Sequence, residues 1–218
     1  LVVVRERSRV LRVPVPGGFR DPAMVNPIDL PGELVGSVAA SPDGRRALLY
    51  TTVSAVERVT LLDLAGDTAP TVIRLRKTVR AVAFAPDGRA ALIVHGRTTG
   101  DPNEANLDLE TRIDRSYGFT LVDTATRFAK LQLTPAEVGP FALSADGNYA
   151  FVLLCNDTAR VSLVERILLR SFEVQDITLG SPPTSVGTIP ATQRAFVGQD
   201  HPEGRITFID EATGALQS

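Results

Sequence analysis

The chain contains two histidines, His95 and His201, and the second follows a carboxylate, Asp200. An Asp-His pair is raw material for a general base or a metal site, because imidazole titrates near neutrality and a neighbouring carboxylate orients it. A zinc site needs further ligands at matched spacing, and neither histidine has them. Both are read as ordinary surface side chains in loops, facing each other across a channel and too far apart to share an ion. Cys155 is the sole cysteine, which excludes an internal disulfide and a multi-cysteine metal knot. Between Leu154 and Asn156 it reads as a buried structural thiol, since a reactive thiolate needs basic, exposed surroundings. No serine nucleophile elbow, phosphate-cradling glycine loop or Cys-His haem attachment motif occurs. No catalytic residue, metal or cofactor is therefore expected.

Charge is concentrated in one stretch, residues 97–116. It holds Asp101, Glu104, Asp108, Glu110 and Asp114 against Arg97, Arg112 and Arg115. Oxygen ligands such as Asp101, Asn103 and Asp108 lack the Asp-x-Asp-x-Asp-Gly order of a calcium loop, so the stretch reads as a lid or partner-docking loop. Its Asp101-Pro-Asn103-Glu104 run is expected to cap a short helix over residues 103–108, with Leu107, Leu109 and Ile113 as apolar contacts.

The elements that must carry these residues repeat. A short strand, a Pro-Asp-Gly turn and a second strand appear at residues 81–94 and again at 37–50, at 140–153 and, worn, at 184–197. Ala47, Ala91, Ala150 and Ala195 align in one column, and the first and last offsets are 91 − 47 = 44 and 195 − 150 = 45. A second phrase follows each first one: Val59–Asp63, Phe119–Asp123, Val161–Glu165 and Ile206–Asp210. Each ends in an acid where the strand turns, and that acid reads as a structural turn residue, since Asp bonds the backbone amides ahead of it. Helical periodicity is almost absent, and short Val/Leu/Ile-rich strands separated by Gly, Pro, Asp and Asn mark an all-β protein. A unit of about 44 residues selects a β-propeller of four-stranded blades.

The run Ser41-Pro-Asp-Gly-Arg45, an apolar strand, and then a Val-x-Leu-apolar-Asp-x-Ala-Thr phrase resembles the YVTN-type and related lactonase-like bacterial β-propeller repeats, over residues 37–214. The resemblance implies seven blades around a central channel, often in secreted or cell-surface proteins. Its motifs are structural, so it speaks to fold far more than to activity. The third copy has Ala145 in place of Pro, and the fourth has lost its Asp-Gly turn.

Counting strands gives a partial blade over residues 1–30, blades near 37–76, 80–134 and 139–179, and an incomplete one over 184–218. These are about five blades' worth of a ring of about six to eight, since a ring must close to hide its edges. The opening Leu1 fits a piece of a longer chain. The formal net charge of −2 leaves no basic footprint for nucleic acid, and no apolar run approaches a membrane span.

Loops between second and third strands, and between blades, share one face around the channel mouth, and binding residues concentrate on such loops. In the blade near 80–134 the Ala-to-Asp spacing is 123 − 91 = 32, against 63 − 47 = 16 in the blade before it. The extra length is the charged stretch, and long loops of this kind are functional or disordered. The candidate binding residues are accordingly His95, Arg97, Asp101, Glu104, Asn156, Asp157, Asp200 and His201. The reading is a non-enzymatic interaction module of a larger bacterial envelope or surface protein, binding a protein partner or other ligand on its loop face. The rival is a lactonase-like hydrolase using His95, Asp157 and His201 at the channel mouth.

Overall fold

The structure is a computed structural model that describes residues 1–218 except 54, 67 and 156–160. Its strands form five antiparallel meanders in chain order. Blade 1 has three strands, β1 (Val2–Val4), β2 (Arg9–Arg12) and β3 (Asn26–Asp29). Blade 2 comprises β4 (Ser37–Ala40), β5 (Arg46–Tyr50), β6 (Arg58–Asp63) and β7 (Thr71–Arg74). Blade 3 comprises β8 (Val79–Phe84), β9 (Ala90–His95), β10 (Tyr117–Asp123) and β11 (Ala129–Thr134), with one helix, α1 (Leu109–Arg115), between β9 and β10. Blade 4 comprises β12 (Glu137–Leu143), β13 (Tyr149–Cys155), β14 (Leu163–Leu168) and β15 (Glu173–Thr178). Blade 5 comprises β16 (Pro183–Ile189), β17 (Arg194–Gln199), β18 (Arg205–Asp210) and β19 (Leu216–Gln217), so a short fourth strand does form there.

The repeat's physics is visible in the Asp-Gly turns. Asp43 accepts the Arg45 amide at 3.0 Å, Asp87 the Arg89 amide at 3.0 Å and Asp146 the Asn148 amide at 2.9 Å. These bonds to the ionised form, with Ser41 and Ser144 hydroxyls added, hold Asp43 and Asp146 below the usual carboxylate range. Gly147 is required twice over. Its φ is +74°, and an added Cβ would lie 2.9 Å from the Asp87 carboxyl carbon of the preceding blade. The worn turn of blade 5 meets the same geometry without glycine, placing Ala191 at φ 65° and Gln193 at φ 53°.

Apolar residues gather at the seams between blades rather than in one central mass. Val10 and Leu30 meet Ala47, Leu49 and Leu62 between blades 1 and 2. Leu48, Leu61 and Ile73 meet Ala91, Ile93 and Val122 between blades 2 and 3. Leu92, Phe119 and Leu121 meet Ala150, Val152 and Ile167 between blades 3 and 4, and Phe151, Leu153 and Val164 meet Ala195, Val197 and Ile209 between blades 4 and 5. A cation of each of blades 1 to 4 also reaches carbonyls at the turns of the next blade. Arg12 donates to Gly66 O at 3.1 Å, Arg46 to Gly88 O at 3.4 Å, Lys130 to Phe172 O at 2.6 Å and Arg166 to Glu211 O at 2.7 Å.

Backbone pairing corrects one register. Ala47 pairs with Leu62, Ala91 with Val122 and Ala195 with Ile209, whereas Ala150 pairs with Ile167. The second phrase of blade 4 is therefore Val164–Leu168, three positions later than the expected Val161–Glu165. The cause is the alternation of strand faces: Ile167, not Val164, supplies the apolar side chain facing blade 3 beside Ala150. Glu165 is thereby moved from the turn-acid position to that of Thr60, Thr120 and Thr207. All four are buried.

Candidate interaction face

The face opposite the Asp-Gly turns is dominated by the connection between β9 and β10. Its residues were expected to form a helix over 103–108, and they do not. Asp101 Oδ1 accepts the Asn103 amide at 2.8 Å in a tight turn, as Asp side chains do in loops. Asn106 adopts φ 65°, which a right-handed helix cannot contain. The helix starts after Asp108 instead. The Asp108 carboxylate accepts the Thr111 amide at 2.8 Å and the Thr111 hydroxyl at 2.7 Å, which makes it the N-cap. Those bonds hold Asp108 below the ordinary carboxylate range. Of the three expected apolar contacts, Ile113 is buried and Leu107 half-buried, but Leu109 is 62% exposed.

The loop is fastened from below by a residue outside the expected set. Lys77, 1% exposed, donates to the carbonyls of Ile113 at 2.5 Å and Asp114 at 3.0 Å. These lie at the C-terminal end of α1, where orphan carbonyls favour a cation. Burial pulls the Lys77 ammonium below its usual value, while Asp114 and Glu57 work against that shift. Around the rim, Arg115 bridges Glu104 at 2.5 Å and donates to Asp101 O at 3.3 Å. Arg76 pairs with Glu110, and Arg97 lies over the Tyr117 ring at 4.3 Å. Arg97, Asp101 and Glu104 thus belong to one ordered, exposed structure.

The histidines part company. His95 was expected on the surface, and it is buried at the end of β9. Its Nδ1 faces the Thr78 carbonyl at 3.0 Å, and Nε2 lies 2.6 Å from the Thr120 hydroxyl. A carbonyl can only accept, so Nδ1 carries the proton and Nε2 accepts from the hydroxyl. Burial, with some help from the Lys77 ammonium, pushes the imidazole down to about 4. It is a neutral structural pin, out of reach of any ligand on the face. Gln199 occupies the same position in blade 5, donating to the Thr207 hydroxyl at 2.6 Å and accepting the Ser181 amide at 3.1 Å. His201 is half-buried, with its ring nitrogens 3.3 Å from the Glu203 amide and 3.3 Å from Arg205. Asp200 is exposed, and its own amide donates to Pro182 O at 2.8 Å. Cys155, expected to be buried, is half-buried at the end of β13, with its Sγ over Gly139, where a Cβ would come within 2.4 Å. Asn156 and Asp157 lie outside the described residues.

Five stacked antiparallel meanders joined by seam cores define a β-propeller architecture. No protein-family profile matches the chain, and no curated protein matches it in sequence. Solved structures do resemble it. Hydrazine synthase of Kuenenia stuttgartiensis is 16% identical over 97% of this chain and 60% of its own, with a TM-score of 0.51. Apo AztD from Citrobacter koseri is 16% identical over 89% of this chain and 50% of its own, with a TM-score of 0.55. The dihydro-heme d1 dehydrogenase NirN is 16% identical over 99% of this chain and 42% of its own, with a TM-score of 0.58. All three are β-propeller proteins, and at this identity the likeness speaks to fold. The chain spans 60% or less of each of them.

Proposed function

We propose that this chain is a β-propeller interaction module of a larger bacterial envelope or surface protein, of the YVTN-like kind, that docks a protein partner on its loop face. One observation carries the reading: the loop between β9 and β10 is a built platform. It is pinned by Lys77, braced by the Arg115–Glu104 pair, and raises Leu109 and its acidic residues outward from a rigid scaffold. The hydrolase alternative loses its first residue, because His95 is sealed within blade 3 with both ring nitrogens occupied. The five blades are taken as part of a ring of about six to eight, since a ring must close to hide its edges and the blade 1 sheet has three strands where the others have four.

The test is site-specific photo-crosslinking in the native parent protein, with a benzophenone side chain placed at Leu109 or, on the opposite face, at Arg89. Adducts to a discrete protein from position 109 and not from 89 are expected. Equal labelling at both positions, or labelling only at 89, overturns the assignment of the face.

A further inference from the structure

Three of the four-stranded blades bury a threonine hydroxyl at the same point of their third strand, and two of these meet a polar residue at the end of the second strand. Thr120 meets His95, and Thr207 meets Gln199. In blade 4 the equivalent pair is Glu165 and Leu154. Leucine offers nothing to a carboxyl group, and Glu165, 1% exposed, has an Oε2 without a hydrogen-bond partner among the described residues. The group lies in the seam between blades 3 and 4. Leu163 and Ile167 flank it on β14, Val152 is its partner on β13, and Phe119 and Leu121 line the facing sheet.

Among the described residues the charges around it are few. Asp176 is its direct partner across β15, a second carboxylate where a cation would be needed. From β11 the Gln132 amide favours its ionised form, and the Lys130 ammonium is committed to Phe172 O at 2.6 Å. A buried carboxyl beside another carboxylate and, among the described residues, without a cation holds its proton.

We propose that Glu165 makes the blade 3–blade 4 seam a pH-sensitive joint: protonated it packs as a neutral side chain, and losing its proton loosens the two blades from one another. Burial, reinforced by Asp176, lifts the carboxyl from 4.5 to about 7. The sign follows. The unfolded chain releases this proton near pH 4.5 and the folded chain only near 7. Folding therefore becomes less favourable as pH rises through that window, and the whole penalty is present above it. His95 acts in the opposite sense over an overlapping range, so the wild-type profile alone does not isolate the joint. The difference between wild type and a Glu165 variant does.

Denaturant unfolding of the chain and of Glu165→Gln is followed from pH 4 to pH 8. The ratio of their folding constants is expected to change by about a hundredfold in favour of the variant as pH rises. Amides of β11 and β14 in the wild type should lose hydrogen-exchange protection over the same range, after correction for intrinsic exchange. Asp176→Asn, an exposed substitution, serves as a second arm should Glu165→Gln fail to fold. Removing that charge is expected to move the inflection to lower pH. Parallel profiles for wild type and Glu165→Gln, or an inflection unmoved in Asp176→Asn, overturn the proposal.

Discussion

At the scale of single residues, the buried hydroxyl column turns a sheet into a specific object. Among the described residues, Thr120 is the donor to His95 Nε2. Thr120→Val should therefore cost about 1–3 kcal/mol in denaturant unfolding, the penalty of an orphaned buried acceptor. His95→Gln, which copies the arrangement of Gln199, should cost less. The pH dependence has a definite sign. The unfolded imidazole takes up a proton near 6.5 and the folded one resists until about 4. The stability His95 contributes is thus present above that window and is lost on acidification through it. Glutamine at position 95 should abolish that acid limb. The worn turn of blade 5 holds Ala191 at φ 65°. That region strains a side-chain-bearing residue and not glycine, so Ala191→Gly should stabilise the protein by about 0.5–1 kcal/mol in the same unfolding assay.

At the scale of elements, the blades were legible in the sequence and the helix was not. The Asp-Gly phrase carries its own physics in an Asp accepting an amide and a glycine at positive φ, so three turns and their strands could be placed from residue types alone, and the worn fourth from the repeat spacing. The second phrase of blade 4 defeated that reading. Val161-Ser-Leu-Val-Glu165 imitates the consensus, and only pairing to Ala150 reveals that Ile167 faces the seam. The helix was misplaced because the Asp101-Pro-Asn103-Glu104 run has the residue types of a cap, whereas the left-handed Asn106 ends that turn and the cap bonds form at Asp108. Lys77 left no local signal at all, since a lysine among Arg76 and Thr78 reads as solvent-exposed until α1 covers it. Its burial has a consequence for engineering the loop. Removing residues 98–115 strips Lys77 of both carbonyls. The same deletion takes away the α1 cover, so the Lys77 ammonium returns to water and the loss should stay near about 1 kcal/mol in thermal and denaturant melts.

At the scale of the whole molecule, stability is distributed over seams that each join only neighbours, as in other stacked repeats. Arg12→Ala and Arg166→Ala remove bonds at two separated seams. Each substitution should cost about 1 kcal/mol or somewhat more. The double variant should lose the sum, because distant sites without shared partners add. A non-additive result in unfolding curves would mean that the seams communicate. The four seam cations all point the same way along the chain, each blade reaching forward to the one that follows. The repeat is therefore directional, like bricks with a peg on one side and a socket on the other. A grafted or duplicated blade will seat only when cut in the phase that keeps its outgoing arginine or lysine together with its incoming turn, and a blade inserted in reverse order would present peg to peg.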